Sequence, residues 1–266
     1  MPDAIVVGGG PAGLSAAITL RQRGNSVAVV TTDAAASGLY KARKVDNYPG
    51  LPGLSGAELL ERFLEHARGV GVEFMAGQAT SVLPMGETIG VAFGSEVLTS
   101  ACVILATGVA QTSLFDGEED FLGRGVSYCA TCDGMLYRGK RVCVACLAPH
   151  ADDEAEHLRA IGCDVVAISP KDMRIIGDEF VSAVVADGVE IACDGVFIIR
   201  STVAPHLLVA GIDTEGGYIR ASASGETSIA GVFAAGDCVG PPLQVAKAVG
   251  QGLSAALSAS EYIAKR

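Results

Sequence analysis

Cys129 and Cys132 stand three positions apart, and Cys143 and Cys146 repeat that spacing after a gap of ten residues. Four thiols so arranged suit a tetrahedral zinc site. One Cys-x-x-Cys alone suits another chemistry, in which one thiolate attacks a disulfide and the other resolves the mixed disulfide. The stretch holding the second pair, RVCVACL at 141–147, reads as a β-strand. Side chains alternate between faces along a strand, so Cys143 and Cys146 point to opposite sides. They do not join Cys129 and Cys132 around one metal. His150 and His157 form no metal motif with a second ligand, and no metal site is expected. The first pair suits a redox couple, weighed against a structural or metal site; Asp133, directly after it, also suits a helix N-cap.

A second chemistry sits at the amino terminus. Gly8, Gly10 and Gly13, with Pro11 and Ala12 between them, make G-x-G-x-x-G between a strand at 4–7 and a helix at about 14–23. The first glycine permits the tight turn, the second lets a pyrophosphate approach, and the third lets helix and strand pack closely. The helix start offers free N–H groups to the phosphates. The strand at 27–30 should end in an acid for the ribose hydroxyls, but Thr31 stands there and Asp33 follows two residues late. Asp33 either replaces that acid or caps a turn. Far along the chain a buried strand at 231–235 ends in Gly236-Asp237, a carboxylate suited to a sugar-alcohol chain. The helix from Gln244 and Val245 to 263 turns its positive end toward any charge on a reduced ring.

These residues need scaffolding, and the pattern between them supplies it. Residues 57–69 read as a helix, and 71–74, 79–83, 90–93 and 101–106 as strands. The stretch 35–56 is irregular, and 111–124 reads as a crossover. A second strand–helix–strand unit follows at 141–147, 152–161 and 164–168, and 178–199 suggests short antiparallel strands. Two distant segments completing one site imply a domain interrupted by an insertion. The fold class expected is α/β with two Rossmann-like units.

A net charge of −11 argues against nucleic acid or an anionic membrane as partner. No run of eighteen apolar residues suggests a membrane span, and the amino terminus lacks the basic start of a signal peptide. Eight cysteines without an export signal point to the cytoplasm.

Five stretches, in order, resemble one family: GGGPAGLSAAI at 8–18, VDNYPGLPGLSGAELLERF at 45–63, LATG at 105–108, GRGVSYCATCDG at 123–134 and ETSIAGVFAAGDC at 226–238. The chain resembles the low-molecular-weight thioredoxin reductases over nearly its whole length. The resemblance implies FAD, held by a discontinuous three-layer ββα domain of residues 1–112 and 224–266. Its lining would be Gly8, Gly10, Pro11, Ala12, Gly13, Thr31, Asp33, Gly38, Asn47, Ala79, Thr107, Gly108, Gly236, Asp237, Gln244 and Val245. An inserted, smaller domain at 113–223 would carry the dithiol. Cys132 would face the flavin, Cys129 would attack the disulfide of a thioredoxin-like partner, and Asp133 would shuttle the proton. Members of the family are homodimers.

The chain also departs from the family. Where a glycine loop should cradle NADPH it reads CLAPHA at 146–151. Leucine and proline obstruct backbone approach, and proline lacks the N–H. The basic cluster for the 2′-phosphate is replaced by Ser169-Pro170-Lys171, and the stretch from Lys171 to Asp194 is short. NADPH binding is therefore not expected. The pattern resembles the pyridine-nucleotide-independent branch, in which reduced ferredoxin supplies electrons. Lys41, Arg43 and Lys44, in the segment SGLYKARK, suit docking of an acidic carrier or form a solvated turn. Three other readings stand beside this one: a flavin-dependent dithiol oxidase, an NADPH-dependent reductase with an atypical site, and a zinc- or flavin-carrying structural module.

Overall fold

The computed structural model describes residues 1–34, 37–109, 115–128, 130–147, 151–200 and 204–266, without the side chains of Thr131, Cys132 and His206. The chain opens with β1 (Ala4–Val7), α1 (Pro11–Gln22), β2 (Val27–Thr31), α2 (Gly56–Gly69) and β3 (Glu73–Ala76). A meander of β4 (Ala79–Met85), β5 (Thr88–Phe93) and β6 (Glu96–Ser100) leads to β7 (Cys102–Leu105). Next come β8 (Val126–Ser127), α3 (Ala130–Asp133), β9 (Arg141–Leu147), α4 (Ala151–Ala160) and β10 (Asp164–Ile168). Then follow β11 (Arg174–Gly177), β12 (Val181–Ala186), β13 (Val189–Ala192) and β14 (Gly195–Arg200). The chain closes with α5 (Pro205–Leu208), β15 (Thr214–Glu215), β16 (Tyr218–Ile219), β17 (Val232–Ala234) and α6 (Val245–Ala264).

Two units divide these elements: Met1–Ala110 with Ala204–Arg266, and Gln111–Val203. The second unit ends well short of residue 223, because α5 packs on β4 and β16 packs beside the turn at 236–239.

The first unit is built on a parallel sheet in the order β17-β7-β1-β2-β3. Ala4, Val6, Val27, Val29, Cys102 and Ile104 bury one face against α1, α2 and α6. On the opposite parity Ile5, Val7, Val30, Val103 and Leu105 are also buried, and β5 and β6 touch β7 and β1. Burial on both faces explains why these strands are apolar runs rather than alternating ones. α1 starts at Pro11, three residues earlier than the periodicity suggests, since proline suits a first helical position where no N–H is needed. α2 starts at a capping box: the Ser55 hydroxyl accepts the Glu58 N–H at 3.2 Å, and the Glu58 carboxylate accepts the Ser55 N–H at 2.8 Å. The meander gains β6 beyond the expected strands; it returns through the turn at Gly94, where φ is +53°.

The second unit carries a parallel sheet in the order β10-β9-β14-β8 and an antiparallel sheet β11-β12-β13. The expectation that 178–199 is all antiparallel is corrected here. β12 and β13 pair so, but β14 lies parallel to β9 and β8 at the centre of the other sheet. Its six residues, GVFIIR, are all buried, as a central parallel strand requires. Cys143 belongs to the core between the two sheets, with Val184, Val196 and Ile198. Cys146 packs on the opposite face with Val142, Val144 and α4.

α1 and α6 pack backbone against backbone. A Cβ on Gly252 would lie 2.1 Å from the Ala12 carbonyl oxygen, whereas one on Gly250 would meet nothing within 4 Å. Gly252→Val is expected to destabilise the protein by at least about 1–3 kcal/mol through overpacking. Gly250→Ala should stabilise it by about 0.5–1 kcal/mol through helix propensity. Urea unfolding midpoints of the two variants check both signs.

Candidate active site

The carboxyl ends of β1, β2, β7 and β17 lie side by side, which is where open parallel sheets bind ligands. At β1 the chain turns through Gly8 at φ +113°, and a Cβ there would lie 2.2 Å from the Ala106 carbonyl oxygen. A Cβ on Gly13 would lie 1.9 Å from the Gly8 oxygen. Gly10 has open space instead, so the backbone N–H groups at the start of α1 stay approachable by a phosphate. A Cβ on Gly236 would lie 2.6 Å from that of Ala12, so the glycine turn and the Gly-Asp turn are neighbours.

Asp237 sits in that second turn. Its Oδ1 is buried and has no hydrogen-bond partner. Burial raises its carboxyl above the ordinary 3.8, and nearby Lys247 opposes the rise. Burial likewise lowers the Lys247 ammonium, against the pull of Asp237. Lys247 holds the turn from inside: its Nζ donates to the Gly236 carbonyl at 2.9 Å and to the Gly240 carbonyl. Gln251, one turn on in α6, accepts the Gly236 N–H at 3.0 Å. Gln244, the N-cap of α6, accepts a 2.6 Å bond from Asn47 Nδ2, joining the irregular segment to the helix that begins at Val245. Thr107 and Gly108 follow β7 after Ala106. A buried acceptor with no partner, an open glycine turn and a free helix start fit a flavin dinucleotide, whose hydroxyls and pyrophosphate supply what each lacks.

The other expected residues divide. The Thr31 hydroxyl is engaged: it accepts the Gly9 N–H at 3.1 Å and donates to the Thr32 carbonyl at 3.1 Å. Asp33 is exposed, as is Gly38. Ala79 starts β4 just after Gly77, whose N–H donates to the Thr31 carbonyl. Lys41, Arg43 and Lys44 are exposed, and Lys44 pairs with Asp46 at 2.9 Å. Cys238 is a packing residue; burial pushes its thiol up to about 11, and its sulfur donates to the Leu105 and Ala235 carbonyls.

The dithiol belongs to the second unit. Cys129 lies outside the described residues, as do Ala148, Pro149 and His150; Cys132 lies in α3. The Ser127 hydroxyl donates to Asp133 Oδ2 at 2.7 Å. Asp133 therefore closes α3 onto the end of β8 rather than capping the next turn, where it makes no side-chain cap bond. The Ala130 N–H donates to Glu154 Oε2 at 3.2 Å, and the Tyr128 phenol to Glu118 Oε1 at 2.9 Å.

With this geometry established, comparison with known proteins is direct. The family model for pyridine nucleotide-disulphide oxidoreductases matches residues 2–172 and 135–252. The chain belongs to that family. The thioredoxin reductase of Aquifex aeolicus is 30% identical over 300 aligned positions, spanning 98% of this chain and 93% of the relative. A ferredoxin-flavin thioredoxin reductase from Clostridium acetobutylicum superposes with a TM-score of 0.91 at 37% identity, covering 99% of this chain and 98% of that one. A thioredoxin reductase from Gloeobacter violaceus gives 0.86 at 30% identity, covering 100% and 95%. This member of the pyridine nucleotide-disulphide oxidoreductase family is an enzyme, a flavin-dependent disulfide oxidoreductase with the Rossmann-like fold of the thioredoxin reductases. Among its described residues, no helix is long and apolar enough to cross a membrane.

Sequence reasoning missed several contacts. Lys247 and Gln251 carried a legible signal: two polar side chains four apart on a helix of small residues. The Glu118–Arg200 pair, 82 positions apart, carried none. Nor did the contact between Cys143 and Cys193, in which the bond to Cys193, then burial, raises the Cys143 thiol.

Asp237 makes stability depend on pH. Its folded-state pKa is raised, so its contribution to stability is full below 3.8 and is lost as pH rises through the folded value. Asp237→Asn should therefore raise the melting temperature of flavin-stripped protein more at pH 7 than at pH 4. The same variant should retain less flavin on purification, read from the ratio of visible to ultraviolet absorbance.

Proposed function

We propose that this enzyme passes electrons from a ferredoxin-type protein through FAD to the Cys129/Cys132 dithiol, and on to a thioredoxin-like protein. FAD would be held by the turn from Gly8 to Gly13, by Asp237, by Asn47, Thr107 and Gly108, and by the start of α6. A bound flavin supplies the link between one-electron delivery and two-electron reduction of a disulfide. Reducing the Cys129–Cys132 disulfide takes two electrons and two protons. Asp133 would pass a proton, and its bond from the Ser127 hydroxyl supports that reading. The Cys129 thiolate then attacks the partner's disulfide. The Cys132 thiolate attacks the Cys129 sulfur of the mixed disulfide, which releases the reduced partner and re-forms the chain's own disulfide.

One observation carries the choice of donor. In a pyridine-nucleotide domain the helix after the first strand turns its N-terminus to the pyrophosphate. In α4 that first turn holds Asp152, Asp153 and Glu154, and the Glu154 carboxylate is engaged by Ala130. Three carboxylates there oppose an anionic ligand. The exposed cations Lys41 and Arg43 support docking of an acidic carrier, and the likeness to the Clostridium acetobutylicum enzyme supports the same reading.

Under anaerobic conditions, reduced ferredoxin should bleach the flavin within seconds while NADPH leaves it yellow. Rapid stoichiometric bleaching by NADPH would overturn the donor assignment. Cys132→Ser should trap a thioredoxin-like protein as a mixed disulfide through Cys129, seen as a mass adduct that dithiothreitol removes. The double variant Lys41→Glu, Arg43→Glu should slow reduction by ferredoxin about tenfold at low salt, with the difference shrinking as salt screens it.

A further inference from the structure

We infer that the buried Glu118–Arg200 pair is a positioning device for the dithiol, acting through Tyr128. The inference rests on the reading of Cys129 and Cys132 as a redox couple. Glu118 is fully buried and Arg200 is 8% exposed. Each carboxylate oxygen of Glu118 takes two bonds: Oε1 from Arg200 Nη1 and from the Tyr128 phenol, Oε2 from Arg200 Nη2 at 2.8 Å and from the Phe115 N–H at 2.9 Å. The guanidinium lies over the rings of Phe115 and Tyr128, at 5.3 and 5.9 Å from their centroids. Burial and the adjoining carboxylate raise the Tyr128 phenol, so it stays a donor.

A buried ion pair adds little stability over a well-packed apolar pair of the same shape. What this one does is geometric. A carboxylate with both oxygens doubly engaged, clamped by a planar guanidinium, fixes where the Tyr128 ring and hydroxyl lie. Tyr128 is bonded directly to Cys129. Arg200 ends β14, the central strand, so the anchor is to the sheet rather than to a loop. On either side, Ser127 holds Asp133 and Glu154 holds the Ala130 N–H. The equilibrium between a dithiol and its disulfide depends on the geometry its backbone allows. Tyr128 and its two charged partners therefore act on that equilibrium through the backbone that Tyr128 shares with Cys129.

The holoenzyme, with Tyr128→Phe, Glu118→Gln and, as control, Arg141→Met, would be equilibrated against reduced and oxidised glutathione. The thiols would then be alkylated and the Cys129/Cys132 peptide weighed. Arg141 belongs to an exposed ion pair with Asp164 at the other edge of the same sheet. Tyr128→Phe removes one hydrogen bond and no packing, so it is the variant that stays folded. It should shift the equilibrium constant by about threefold or more, and Glu118→Gln by more. Both should move the midpoint pH of thiol alkylation, while Arg141→Met moves neither. A folded Tyr128→Phe with the wild-type constant and midpoint overturns the inference. If wild type shows no interconversion between dithiol and disulfide, the redox reading fails in the unmodified enzyme and the inference goes with it.

Discussion

Backbone meets backbone at the start of α1, and the rest of the first unit follows from how close that meeting is. The Gly8 carbonyl oxygen occupies the place where a Cβ of residue 13 would be. That contact seats α1 directly on the end of β1 and leaves its first N–H groups facing outward. The same closeness recurs where α6 crosses α1, with the Ala12 carbonyl filling the space beside Gly252. With α6 lying flush on α1, Lys247 and Gln251 reach the turn at 236–240 and hold it. The orientation of Asp237 is thus set by contacts in which glycine supplies room, not chemistry.

The second unit shares the parallel topology but is held at the end of β14 by charge. Glu118 and Arg200 are sequestered where desolvation costs most, and they persist because each hydrogen-bonding position on the carboxylate is used. Apolar close-packing tolerates small shifts in a side chain. A fully engaged carboxylate does not, because each displaced bond leaves a buried polar atom without a partner. The two units thus meet the same need for a fixed edge in different ways, one by removing side chains and the other by pairing buried ones.

How much of this is legible in the sequence depends on the range of the forces involved. Strands β9 and β10 can be read to the residue, because in the sequence each apolar run is preceded by a glycine and followed by a proline two positions on. The glycine loop and the Gly-Asp turn are legible because their chemistry is tied to consecutive residues. The strand β14 is apolar in the sequence, but its parallel partners are distant, so local pattern favours a meander instead. Thr31 reads as a missing acid; that its hydroxyl engages Gly9 is a fact of tertiary approach. Glu118 and Arg200 each look like ordinary surface charges until the sheet brings them together.

Carboxylates in the first turn of α4 have a consequence for the helix itself. Their negative charge complements the positive end of the helix dipole, a service that a bound anion would otherwise provide. Ligand and side chains compete for one helix end, and a turn that carries its own anions repels an anionic guest. In α4 local stability and nucleotide affinity are opposite readings of the same residues. A substitution that removed those charges would loosen the start of the helix in the act of opening it to phosphate.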